Sequence, residues 1–130
     1  IKDFNNYVFT LSCTFNSVSS LDKALVNTVQ SYEKNGRTIP SGNYSLSGNT
    51  FKRQVGYDYT EEVTKSMNAQ IKSILEKAKF TAIYRFPKPV KSLTNSKAKK
   101  SPTGKAVMLS ANLLEIANSK QIIANTIVME

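Results

Sequence analysis

Hydrophobic and polar positions alternate strictly over residues 7–15, with Tyr7, Phe9, Leu11, Cys13 and Phe15 on one face and Val8, Thr10, Ser12 and Thr14 on the other. A period of two, carried by β-branched and aromatic side chains, predicts a half-buried strand. The period then changes. Leu21, Leu25, Val26, Val29 and Tyr32 recur at helical spacing, Ser20 stands as the N-cap, and Asn35-Gly36 supplies the left-handed exit. Residues 44–46 and 50–57 return to extended patterning on either side of Ser47-Gly48-Asn49, which is a hairpin signal.

A second helix follows. Asp58 and Glu61 fit the D-x-x-E capping pattern, and Val63, Met67, Ile71, Ile74, Leu75 and Ala78 form one apolar stripe. Residues 80–86 alternate again, with Phe80, Ala82, Tyr84 and Phe86 against Thr81, Ile83 and Arg85. Pro87 and Pro89 remove two backbone donors, so this strand ends there or lies at an edge. The spacing predicts an exposed loop over 91–103 with a turn at Pro102-Thr103-Gly104, then a strand over 105–111. A short helix capped by Asn112 over 112–118 and a last strand over 121–129 complete the chain. The order β-α-β-β-α-β-β-α-β with short links predicts an α+β fold of two layers. It is an antiparallel sheet of about five or six strands, with two main helices and one short helix packed on one face. No repeat or linker divides residues 1–130, which read as a single domain.

At 130 residues and 40% hydrophobic content, such a domain buries a core without disulfides or metals. No apolar run approaches the roughly 20 residues needed to span a bilayer, and the first residues lack the form of a signal peptide. Because Ile1 is not an initiator Met, the N-terminus reads as a cut, with any targeting segment lying upstream. The single cysteine, Cys13, excludes an intramolecular disulfide. The absence of histidine removes the commonest general base and the commonest metal ligand together.

Charge sharpens this picture. Between Glu76 and Glu115 there is no acidic residue, yet Lys77, Lys79, Arg85, Lys88, Lys91, Lys97, Lys99, Lys100 and Lys105 all fall there. The formal net charge is +9, and this stretch carries the whole excess. Arg85, Lys88, Lys91, Lys97, Lys99, Lys100 and Lys105 are the candidate binding residues, as a basic surface facing anions. Tyr84 and Phe86 interleave with Arg85 and Lys88, as stacking residues do in nucleic-acid sites, but they also alternate as core residues do. Lysines on loops and edge strands serve equally as solvated guards against sheet-edge pairing.

Other chemistry finds little footing. Cys13 lies mid-strand among apolar neighbours, where a thiolate is disfavoured and the thiol is inert. Glu61 and Glu62 are adjacent acids, and their place at a helix start accounts for them. Gly42, Gly48 and Gly56 are too widely spaced to cradle a phosphate, and Gly104-Lys105 lacks the rest of a P-loop. No catalytic residue, metal site or cofactor is expected.

The phrases Thr81-Ala82-Ile83-Tyr84-Arg85-Phe86-Pro87-Lys88-Pro89-Val90-Lys91-Ser92, Asn95, Thr103-Gly104-Lys105-Ala106-Val107-Met108-Leu109 and Leu113-Leu114-Glu115-Ile116 carry a likeness. They resemble the C-terminal half of poorly characterised cell-envelope lipoproteins of the Bacteroidota, in which F-P-x-x-V-x-S, N and D-G-K-x-V-x-L precede a short helix and a final strand. The LppM-type lipoprotein domain of mycobacteria is similar at a greater distance. Asn49-Thr50-Phe51-Lys52-Arg53 is similar to a mid-domain strand of that family, whereas Thr103 stands where its members carry Asp. The resemblance implies an exported, lipid-anchored α+β domain, with the anchoring cysteine upstream of Ile1. No catalytic residue comes with it.

Three functions compete on these grounds. The first is a non-enzymatic exported domain that binds a lipid, a small ligand or an envelope protein partner. The alternative is a nucleic-acid-binding module using residues 77–105. A third is a hydrolase or isomerase built from carboxylates and Tyr, since sequence does not show which residues converge.

Overall fold

The computed structural model describes residues 2–3, 8–10, 12, 14–32, 42–55 and 65–130. Over these the fold is α+β. Its strands are β1 (Lys2–Asp3), β2 (Val8–Phe9), β3 (Tyr44–Ser47), β4 (Thr50–Arg53), β5 (Lys79–Arg85), β6 (Val90–Leu93), β7 (Ala98–Lys100), β8 (Ala106–Asn112) and β9 (Asn125–Met129). Helices α1 (Val18–Tyr32), α2 (Ala69–Lys77) and α3 (Leu113–Asn118) and a 3-10 turn at Lys120–Ile123 accompany them. All pairings are antiparallel. The strands divide into a ladder of β1 with β2, a four-stranded sheet in the order β3-β4-β9-β6, and a three-stranded sheet in the order β5-β8-β7.

The core lies between the two larger sheets. Phe51, Val90 and Ile127 from the first meet Ala98, Val107 and Leu109 from the second in one buried cluster. Alternation places them there: β8 runs half-buried, buried, exposed, buried, so Val107 and Leu109 point inward and Met108 points out. Phe51 bridges the layers, with ring centroids 5.3 Å from Tyr84 and 5.4 Å from Phe86. The chain passes between sheets through Pro87 and Pro89. The N–H of Phe86 donates to Lys105 O and that of Val90 to Gly104 O, each at 2.8 Å, so backbone pairing is kept on both sides of the crossing.

The hairpin forms as expected, with Ser47 paired to Thr50 around Gly48-Asn49. The Asn112 cap does too, as a capping box closed by Glu115. Other boundaries differ, each for a local reason. Ser17 rather than Ser20 caps α1, because Ser17 Oγ accepts from the N–H of Ser20 at 3.1 Å and Val18 already packs on the core. The long second helix is interrupted at Met67 and Asn68; the Asn68 side chain accepts from Ile71 N at 2.9 Å and starts α2 afresh. Its apolar stripe is not a buried face: Ile71 is exposed, Ile74 is 60% exposed, and α2 contains no buried residue.

The loop expected over 91–103 is instead broken by two short strands, residues 91–93 of β6 and 98–100 of β7. Val90 and Leu93 pair with β9 and Ala98 with β8, as edge strands whose lysines face water. Residues 121–123 wind into the 3-10 turn, so the last strand begins at Asn125. β4 stops at Arg53, where Gln54 N turns back to Asn43 O at 2.7 Å. Of the strand expected over 7–15, Val8–Phe9 forms, while Thr10, Ser12, Thr14 and Phe15 carry no ladder. Alternation assigns faces to a segment but no partner. Tyr7, Leu11, Cys13, Asn35-Gly36, Gly56, Tyr57, Asp58, Glu61, Glu62 and Val63 lie outside the described residues.

Candidate functional site

The basic residues divide among separate surroundings. Arg85 ends β5 on the face that also carries Lys79, Thr81 and Ile83, all exposed. Register sets Ile83 opposite Met108, and Met108 opposite Lys99, so the three share a row across the outer face of the three-stranded sheet. On the same face Arg85 lies opposite Ala106, Lys79 opposite Asn112, and Thr81 opposite Ser110, whose hydroxyl oxygens are 3.1 Å apart. Lys105 is exposed just before β8.

The remaining candidates point elsewhere. Lys100 lies opposite Val107, and its Nζ reaches Val90 O at 3.4 Å. Lys88 Nζ is 3.5 Å from Asn49 Oδ1, and Lys91 sits at the irregularity in β6. Lys97 Nζ is 2.8 Å from Glu115 Oε1. That contact, with the N–H of Asn112, holds the Glu115 carboxyl below its ordinary value. The seven residues are therefore not one site. Arg85 and Lys99 share the outer face with Lys79, whereas Lys105 lies across from Phe86, one position off that face; Lys97 is committed to an ion pair.

The aromatics among these cations turn inward. Tyr84 stands edge-on to Tyr44 at 6.2 Å, and Arg53 lies over the Tyr44 ring at 4.6 Å. Burial pushes the Tyr84 hydroxyl well above its ordinary pKa, reinforced by its contact with Tyr44 and opposed by Arg53. Beside this cluster a groove of about 670 Å³ runs along β5, which lies at one edge of the three-stranded sheet among the described residues. Phe15, Leu46, Phe51, Tyr84, Phe86 and Met129 supply its apolar wall, and Arg85 is the one charged residue among its described lining residues. Sequence reasoning missed this groove because Leu46, Phe51, Phe86 and Met129 come from separate elements. The alternation over 80–86 was the available signal, and it identified Tyr84 and Phe86 as inward-facing.

A second cleft of about 490 Å³ is polar and lies around Asn95 and Asn125. Its polar groups are largely spent on the fold. Asn125 Oδ1 accepts from Thr94 N at 3.2 Å and Asn95 N at 3.0 Å, while Asn95 Nδ2 donates to Ile122 O at 2.9 Å and Ala124 O at 2.8 Å. Asn95 thus fastens the turn after β6 to the entrance of β9, which accounts for it structurally.

Asp22 is the buried acid of α1, 7% exposed. It accepts from the backbone N–H of Gly42 at 2.7 Å, Asn43 at 2.8 Å and Tyr44 at 3.1 Å. Burial raises its pKa, but these hydrogen bonds outweigh burial and leave the carboxyl below its ordinary value. It is an anchor for β3 with its acceptors occupied.

Among the described residues, no three Cys, Asp or Glu side chains gather as a metal site, and no helix is long and apolar enough to cross a membrane. No protein-family model, curated protein or solved structure matches the chain.

Proposed function

We propose that the protein is a binding domain for an anionic amphiphile, a single acyl chain with an acidic head, held in the groove along β5. The observation that carries this is the composition of the groove: a mostly apolar lining with Arg85 as the single charge among its described lining residues. Its volume of about 670 Å³ falls within the range of roughly 300–1,000 Å³ usual for small-molecule sites. An acyl chain against Phe15, Leu46, Phe86 and Met129 gains by leaving water, and a carboxylate or phosphate head gains a charge-assisted hydrogen bond from Arg85. The role is binding rather than catalysis. A lipid-rich envelope, as the resemblance implies, is the setting we propose for it.

Dodecanoate and dodecanol distinguish the parts of this reading. At a hundredfold excess over its dissociation constant, a ligand of the native state adds about 2.7 kcal/mol of stability. Dodecanoate should therefore raise the melting temperature by several degrees. Arg85→Gln should weaken dodecanoate about tenfold, equivalent to about 1.4 kcal/mol, and leave dodecanol unchanged. Leu46→Glu should abolish binding of both. Absence of any shift with either compound overturns the proposal, and equal, Arg85-independent affinity for both overturns the acidic head.

A further inference from the structure

We propose that the outer face of the β5-β8-β7 sheet docks the protein onto an anionic lipid surface. This goes beyond ligand binding in the groove and requires nothing to occupy it. Ile83 and Met108 are 48% and 42% exposed at the centre of the face, directly opposite one another. Lys79 and Arg85 lie at the two ends of β5, and Lys99 flanks Met108 on β7. The only polar neutral pair between them, Thr81 and Ser110, is joined hydroxyl to hydroxyl. No acidic residue occurs in β5, β7 or β8, and Glu115 beyond β8 is already paired with Lys97. An apolar centre flanked by cations, with no acid on its three strands, matches the interfacial layer of an anionic bilayer in both charge and polarity.

The same residues distinguish a lipid surface from nucleic acid. A single-stranded nucleic acid needs exposed rings on which bases stack, and on this sheet face the exposed apolar side chains, Ile83 and Met108, carry none. Tyr84 and Phe86, the rings that flank Arg85 in sequence, are packed against Phe51. Two of the three cations are lysines, which act as point charges suited to a diffuse layer of headgroups rather than to bidentate phosphate recognition. Ile83 and Arg85 also line the groove, so a docked protein would present the groove mouth to the bilayer.

Vesicle flotation tests this with the whole chain, using phosphatidylcholine vesicles alone or containing about one-third phosphatidylglycerol. Binding is expected only to the anionic vesicles, falling steeply with added salt. Lys79→Glu with Lys99→Glu should reduce partitioning at least about tenfold. Lys23→Glu with Lys52→Glu, an equal charge change on α1 and β4, should change it less than about twofold. Met108→Ser should weaken it severalfold with salt sensitivity retained. Leu46→Glu, which blocks the groove, should leave vesicle binding intact, so the two proposals fail separately. No binding to anionic vesicles, or equal losses from both charge-reversal pairs, overturns the docking face. Tighter binding to a single-stranded oligonucleotide than to vesicles at the same salt overturns it in favour of nucleic acid.

Discussion

Asp22 Oδ1 lies 2.8 Å from the backbone nitrogen of Asn43, tying the first helix to the start of β3 across twenty-one positions of sequence. Gly42 and Tyr44 donate to the same carboxylate, so the start of the hairpin is held by one side chain. An amide in its place turns one of the two acceptor oxygens into an NH2 donor, so at least one of these N–H groups loses its acceptor. Asp22→Asn should cost about 1–3 kcal/mol at neutral pH, read by chemical denaturation.

The same contact sets a pH dependence. The folded carboxyl has a pKa below its ordinary value of 3.8, so the unfolded chain binds the proton more readily. Its stabilisation is therefore present in full well above pH 3.8 and fades as pH falls through the lower folded value. Denaturation midpoints of the parent and Asp22→Asn should converge below that point. A gap that stays constant down to acid unfolding contradicts the linkage.

The capping box at α3 gives a second prediction. Asn112 Oδ1 accepts from Glu115 N at 2.8 Å, and Glu115 Oε2 accepts from Asn112 N at 3.0 Å. Asn112→Ala should cost about 0.5–2 kcal/mol. Lys97→Ala should barely change stability, because the ion pair is solvent-exposed. It should nevertheless raise the Glu115 carboxyl pKa toward its ordinary value in an NMR titration, since Lys97 is the largest cause of the depression.

The hairpin turn tests backbone conformation in isolation. Gly48 has φ +57°, and a Cβ built there meets nothing within 4 Å. Gly48→Ala should therefore cost about 1–2 kcal/mol through conformation alone, and Gly48→Asn clearly less, because Asn tolerates the left-handed region. Equal costs for both variants would point to a contact rather than to φ.

Burial, rather than hydrophobicity, separates the last pair. Phe51 is buried between the sheets, and Phe51→Ala should cost about 3–5 kcal/mol. Ile74 is the more hydrophobic-looking helix position, yet Ile74→Ser should fall within about 0.5 kcal/mol. Thermal melts of the two variants give the comparison directly.

The α+β class, the hairpin, β5 and the Asn112 cap were legible because each depends on neighbours in sequence. Periodicity placed Phe80, Ala82 and Tyr84 inward and Thr81, Ile83 and Arg85 outward, as observed. What sequence concealed depends on partners. Leu93 and Ala98 looked like parts of a lysine-rich loop because edge strands carry charges freely, and their ladders lie on β9 and β8. The stripe on α2 read as a core face because spacing reports amphipathicity without saying what covers it. The candidate site was legible by charge alone. Which lysines share a face followed from the register of β7 on β8, which no local pattern specifies.

That register question extends to the middle of the four-stranded sheet. β9 lies between β4 and β6, and Ile127 pairs with both Phe51 and Leu93. Until β9 docks, β4 and β6 have no shared ladder, and Phe51 has nothing beside it on that side. Closing a sheet through so distant a strand carries a large loop-closure entropy in the folding transition state. The domain should therefore fold slowly for its size, a rate that stopped-flow refolding would measure.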